Sequence, residues 1–255
     1  MSFHYQLLII LSPFFSIVRK IGVLIGVVSK NRLRVLAYHD IPESEEIVFI
    51  SHMTWLKENW NIVTPAEFEM MVLGKKPIIG NNVLITFDDG FLSNKLIAEK
   101  ILNPLGIQAI FFIISDFVEI KNRSKSYKFA SNQIVPGSSI NNIPRNWENM
   151  QWGDLASLIE QGHTIGCHTK THARLSECTS IDKLEMEIIR SAEKISHKLG
   201  VDINHFAFTF GDIDSFSRDA LKVAKSKFDF IYSGIRGVHS GKVSPYAIRR
   251  DAVSY

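Results

Sequence analysis

Cysteine is nearly absent from the 255 residues: there are two, Cys167 and Cys178. That excludes a disulfide scaffold, and their separation excludes a CxxC pair. Both read as reduced, buried thiols. An excess of charge of one sign is also missing. The chain has 29 Lys+Arg against 26 Asp+Glu, a net charge of +3. No concentrated basic face, zinc-finger spacing or RNA-binding aromatic motif accompanies it, so nucleic acid is not an expected partner. Long apolar runs are lacking as well. Leu7 to Val18 and Ile21 to Val28 are apolar, but Arg19 and Lys20 interrupt them. Neither block reaches the roughly 20 residues of a membrane span. Nor does the N-terminus show the basic, apolar and small-x-small order of a signal peptide. There is no internal repeat.

What the sequence does contain is alternation. Apolar runs at Arg34 to Tyr38, Val83 to Phe87, Gln108 to Ile114, His163 to Cys167, His205 to Phe210 and Asp229 to Tyr232 read as strands covered on both faces. Helical stretches fall between them. Ser51 is read as the cap of a helix through Trp55 to Trp60, and Pro65 suits the first turn of the next. Asn94 to Leu102 follows as a third. Ile181 to Leu199 carries one apolar stripe (Ile181, Leu184, Ile188, Ala192, Ile195, Leu199), with Ser180 to cap it and Gly200 to close it. This order predicts an α/β fold, a parallel sheet or a β/α barrel. Glu119 to Met150, rich in Asn, Ser and Lys, reads as a long surface loop with a substrate-facing edge.

The polar residues that follow these strands form a set. His39 comes after Tyr38, Asp88 and Asp89 after Phe87, His168 after Cys167, and Gly211 and Asp212 after Phe210. In parallel β/α folds the C-terminal strand ends converge on one rim, where active sites are built. One aspartate with His168 and His172 makes a three-ligand metal set with an open position. The other aspartate is then left to take a proton from water, because two ligating aspartates would leave no base. Such nitrogen and oxygen donors suit zinc, and Co2+, Ni2+ or Mn2+ would also fit.

The segment Thr86-Phe87-Asp88-Asp89-Gly90, with His168-Thr169-Lys170-Thr171-His172, resembles the polysaccharide deacetylase family (NodB homology, the carbohydrate esterase 4 group). The similarity runs from about Leu36 to Ile248. It implies a distorted (β/α) barrel of the NodB type as a single domain. It also implies metal-dependent removal of N- or O-acetyl groups from glycans such as chitin oligomers, peptidoglycan or exopolysaccharide. By this resemblance Asp88 is the base, and Asp89, His168 and His172 are the ligands. Thr169 braces the ligand loop and Leu175 completes the second motif. Tyr38-His39-Asp40 resembles the start of a subgroup that includes poly-N-acetylglucosamine deacetylases, which implies that His39 is the general acid. The third motif stands as Phe206-Ala207-Phe208-Thr209-Phe210-Gly211-Asp212. Thr209 replaces the family's proline, and Ala207 stands where many members carry the arginine that orients the base. Phe210 and Gly211 are expected to keep a pocket wall and a backbone donor for the oxyanion. Trp152 resembles the tryptophan before the fourth-motif helix and is placed in the substrate pocket, although Gly153 follows it and Asp154 comes one later. His239 is read as a surface loop residue.

The expected function is hydrolysis of acetyl groups, N-acetyl above all, from a glycan or glycan precursor, with water activated by the ion as nucleophile. Two alternatives accompany it: a non-catalytic glycan-binding module on the same fold, motivated by the altered third motif, and an amidase acting on a non-sugar amide. Residues 1–32 are expected to form an apolar, basic N-terminal helix ahead of a deacetylase-like domain at 33–255. Its basic residues give residues 3–34 the means to rest on an anionic membrane surface. Without a clear export signal, the expected location is the cytoplasm, at the inner face of the membrane.

Overall fold

The structure is a computed structural model and describes residues 17–18, 21–25, 29–137 and 147–254. The N-terminal helix expected over 1–32 lies for the most part outside the described residues, as does 138–146 of the expected loop. Among the described residues no helix is long and apolar enough to cross a membrane.

In chain order the elements are β1 (Arg32–Tyr38), α1 (Glu46–Asn59), β2 (Asn61–Ile62), α2 (Pro65–Val72), β3 (Asn81–Phe87), α3 (Leu92–Ile97), β4 (Ala109–Ile113), α4 (Ser115–Val118), α5 (Arg123–Phe129), α6 (Trp152–Glu160), β5 (Thr164–Cys167), α7 (Ile181–Leu199), β6 (His205–Ala207), α8 (Arg218–Lys225), β7 (Phe230–Tyr232) and β8 (Asp251–Ala252). The strands pair in the order β7-β6-β5-β4-β3-β1-β8. Every pairing in this path is parallel. The two-residue β2 lies against the lower half of β3, pairing Asn61 with Asn82, below the point where Ile85 meets Ala109 of β4.

The sheet curls into a distorted (β/α) barrel because alternate residues face different cores. Leu36, Tyr38, Ile85, Phe87, Phe111, Ile113, Ile165 and Cys167 point outward and are buried with the stripes of α1, α6, α7 and α8. Leu33, Val35, Leu84, Ile110, Phe112, Ala207, Phe230 and Tyr232 form a separate inner cluster. Phe68, Met71 and Val72 of α2 plug that inner cluster. Helix α2 is held at this angle by a reciprocal cap between Thr64 and Glu67, with Pro65 in its first turn. Among the described residues no strand closes the barrel between β7 and β8. Irregular chain does so instead, with Tyr232 bridged to Ile248 and Leu33 to His239. His239 is therefore half-buried and backbone-paired at the closure, not a loose surface residue.

Two readings of the elements need correction. Ser51 does not cap a helix: α1 begins at Glu46, and the Ser51 hydroxyl donates inside it to the Ile47 carbonyl (2.9 Å). The stretch expected as a loop over Glu119 to Met150 contains α5, capped by Asn122, and a wider turn over Ala130–Ile134. Its local cap and buried Ser126, Ala130 and Ile134 outweigh its polar composition. Helix α7 spans the predicted residues, with Ser180 accepting from the Lys183 N–H and Gly200 at φ 69°.

Candidate active site

The inward period of each strand carries past its end. After Leu84 and Thr86 comes Asp88, after Val35 and Ala37 comes His39, and after Gly166 comes His168. These side chains meet at the barrel mouth with Asp89, His172 and Arg250, lining one cleft of about 280 Å³.

The ligand set is held from behind. His168 Nδ1 lies 2.8 Å from the Ala207 carbonyl, and His172 Nδ1 lies 2.7 Å from the Gln133 carbonyl. A carbonyl only accepts, so each Nδ1 carries the proton and each Nε2 presents a lone pair. Both Nε2 atoms face Asp89 Oδ1, at 3.6 Å from His168 and 3.5 Å from His172. All three donor atoms fall within 4.8 Å of one another. Asp89 Oδ1 is buried and has no hydrogen-bond partner. An orphaned carboxylate oxygen facing two imidazole lone pairs suits a cation. Burial, reinforced by the Asp88 carboxylate and opposed by His39 and Arg250, pushes the Asp89 carboxyl up to about 7. Burial likewise drives His168 down to about 3 and lowers His172, which keeps both rings neutral as ligands. The donor set fits a divalent metal ion.

Asp88 sits differently. Burial raises its carboxyl, but Arg250, with His168 and His39, outweighs that and holds it at about 2. Arg250 grips both oxygens, Nη1 to Oδ1 at 2.6 Å and Nη2 to Oδ2 at 2.8 Å. The guanidinium is itself 2% exposed, donates through Nε to the Ser233 carbonyl and lies over the Phe112 ring. Sequence reasoning missed Arg250, which orients the Asp88 carboxylate where Ala207 offers no charge. No local signal marks it: Ile248 and Arg250 are buried between the exposed Ala247 and Arg249, but Ala252 is exposed and the alternation stops there. His39 Nε2 stands 4.0 Å from Asp88 Oδ2, with its side chain half exposed. The Asn94 amide holds the His39 carbonyl at 2.7 Å.

The remaining predicted residues divide. Thr169 is buried, and its hydroxyl oxygen accepts from the His172 N–H (3.0 Å). Leu175 is buried in the outer core below the loop. Phe210 forms a cleft wall, its ring 4.7 Å from His172 and under the Arg174 guanidinium at 4.3 Å. The Gly211 N–H is committed to the Thr209 carbonyl (2.6 Å). Trp152 is not in the cleft. It sits half-buried in the first turn of α6 against the outer core, with Lys198 over its ring. The tryptophan that lines the cleft is Trp147, whose indole N–H donates to Asp40 (2.6 Å). The expected loop also contributes Ile134 and Val135.

Backbone strain marks the same place. Among the described residues the non-glycine positions with positive φ are Asp89 (73°), Thr169 (65°), His172 (63°) and Phe210 (59°). Each such conformation costs of order 1–3 kcal/mol. Asp89, His172 and Phe210 line the cleft and Thr169 lies in the loop between two of its histidines, so the strain is concentrated around the site.

Known proteins share this arrangement of chain. YxkH of Bacillus subtilis (strain 168), named after polysaccharide deacetylases, is 33% identical over 189 residues, 67% of this chain. The chain spans 64% of the length of that relative. Among solved structures, IcaB from Ammonifex degensii superposes with a TM-score of 0.71 at 21% identity, covering 88% of this chain and 92% of that one. The Streptococcus pyogenes deacetylase PplD, solved with acetate, gives 0.68 at 16% identity, covering 88% and 93%. These two show the shared fold. The sequence model described as polysaccharide deacetylase matches residues 75–228, a span that holds Asp88, Asp89, His168 and His172, and by that match the chain belongs to the polysaccharide deacetylase family.

Proposed function

We propose that the protein is a metal-dependent deacetylase that hydrolyses N-acetyl groups on a glycan or glycan precursor, and that its ion is Zn2+. A divalent ion held by Asp89, His168 and His172 would polarise the acetyl carbonyl and lower the pKa of water to about 7. Asp88, kept ionised and fixed in orientation by Arg250, takes the proton from that water through Oδ2. A backbone N–H near Phe210 would stabilise the developing oxyanion. His39, on the other side of the 4.0 Å gap to Asp88 Oδ2, gives its Nε2 proton to the departing amine nitrogen. Acetate and amine leave, and the half-exposed His39 regains a proton from solvent while Asp88 releases one. Trp147 and Phe210 wall the cleft and suit the flat apolar face of a sugar ring.

The observation that carries this reading is the convergence of two imidazole Nε2 atoms on the orphaned Asp89 Oδ1, with the Asp88 carboxylate beside them. The altered third motif favoured a non-catalytic module, and the Arg250 grip on Asp88 removes that motive. Metal analysis with acetate release across a panel of acetylated saccharides tests the proposal. Asp89→Ala is expected to lose both metal and activity. Asp88→Asn is expected to keep metal and lose turnover by 10²-fold or more, on the order of a missing general base. An Asp88→Asn enzyme as active as wild type would refute the assigned base.

A further inference from the structure

The loop between the two histidine ligands belongs to no helix or strand, yet it holds two strained residues. Thr169 and His172 sit at φ 65° and 63°. One restraint is internal, from the His172 N–H to the Thr169 hydroxyl. The others come from helices. The Glu187 carboxylate of α7 accepts three times: Oε2 from the Lys170 N–H (3.1 Å) and the Thr171 N–H (2.9 Å), and Oε1 from the Thr171 hydroxyl (2.7 Å). One turn later on the same helix, the Ser191 hydroxyl lies 2.9 Å from the Thr169 carbonyl and donates to it. Residues four apart face the same way on a helix, so this pair closes on the loop as one grip. At the start of α4 the Ser115 N–H meets the Thr169 carbonyl and the Asp116 N–H meets the Lys170 carbonyl.

We propose that Glu187 and Ser191 are positioning residues for the metal centre: helix α7 sets ion affinity by fixing the 169–171 backbone, without touching the ion. This rests on the metal-site reading above. Hydrogen bonds to an ionised carboxylate are roughly twice as strong as neutral ones, and Glu187 spends three of them on one short segment. Without them the left-handed residues relax, and both rings must be aimed again before an ion can bind. Partners behind the ligands are typically worth about 10–100-fold in metal affinity.

The test is zinc affinity of the full chain, stripped of metal and titrated in competition with a chromophoric chelator, with melting of the metal-free forms recorded in parallel. Glu187→Ala is expected to bind about 10–100-fold more weakly. Glu187→Gln, which keeps an acceptor oxygen but not the charge, is expected to fall between it and wild type. Ser191→Ala is expected to show a smaller loss, and Glu185→Ala, on the exposed side of α7, none. Should Glu187→Ala not fold, Glu187→Gln carries the comparison. A role in general stability alone would lower the melting temperature of the metal-free protein and leave the affinity of the folded fraction untouched. Zinc binding by Glu187 variants as tight as wild type overturns the positioning role alone. Wild type that takes up no zinc overturns it together with the metal-site reading.

Discussion

Asp88 is a buried carboxylate, and its charge survives because Arg250 holds both oxygens. Removing the arginine leaves a buried anion alone, which costs about 3–5 kcal/mol at neutral pH. Arg250→Gln should therefore lower the urea midpoint strongly at pH 7. The carboxyl is held below its ordinary 3.8, at about 2. The pair's contribution is therefore complete above 3.8 and fades as pH falls toward 2, and the gap between variant and wild type should shrink over that window. Equal midpoints at pH 7 would refute the argument. His163 shows the opposite sign. It is buried, accepts the Ala109 N–H on Nδ1 and meets Asn103 on Nε2. Burial depresses it from 6.5 to about 4. The unfolded chain therefore takes up a proton that the folded one refuses, and stability falls as pH drops from 6.5 toward 4. Urea midpoints at pH 7 and pH 5 should differ more in wild type than in His163→Gln. The sequence made Asp88 visible and left Arg250 hidden for a physical reason. Asp88 has a strand, a second carboxylate and a glycine as neighbours, whereas Arg250 meets its partner only through a closure 162 residues away.

At the scale of elements, legibility followed amphipathicity. Helix α7 could be read from end to end because one apolar stripe and two caps agree. Helix α1 could not, because Ile47, Val48 and Ile50 are exposed while Phe49, Met53 and Leu56 are buried. Apolar residues on every side give no stripe to start from, so a plausible serine was taken for a boundary. The two-residue β2 and β8 are too short for a period to register, whereas α2 was marked by Pro65 in its first turn. Turns carry a testable contrast. Gly200, which closes α7, and Gly211, in the cleft wall, share nearly the same φ, 69° and 68°. A Cβ on Gly200 meets nothing within 4 Å, whereas on Gly211 it would lie 2.5 Å from the Gly234 backbone nitrogen. Gly200→Ala should lose about 1–2 kcal/mol from the left-handed conformation alone. Gly211→Ala should lose about 1–3 kcal/mol more, since backbone must move, and should disturb the cleft. Equal losses in chemical denaturation would show that the Gly211–Gly234 approach is not tight.

On the scale of the whole molecule, the barrel mouth is assembled from chain that is distant in sequence. Asp89 comes from the end of β3, His168 from the end of β5, and the carbonyl behind His172 from the segment expected to be a surface loop. Nothing in the unfolded chain holds these donors together, so ion binding belongs to the folded state and must stabilise it. With free zinc at 100 times its Kd the gain is about 2.7 kcal/mol. For a chain of this length each kcal/mol moves the Tm by about 2–4 °C. Chelation should thus lower the melting temperature by about 5–11 °C, and zinc should restore it. Asp89→Ala should melt at the same temperature with and without chelator. It should also melt no lower than the metal-free wild type, because the variant loses a buried carboxylate whose oxygen has no partner of its own. If Asp89→Ala instead kept the zinc-dependent rise in full, the ion would be bound elsewhere, and the convergence of Asp89 with the two imidazoles would have to be explained without a metal.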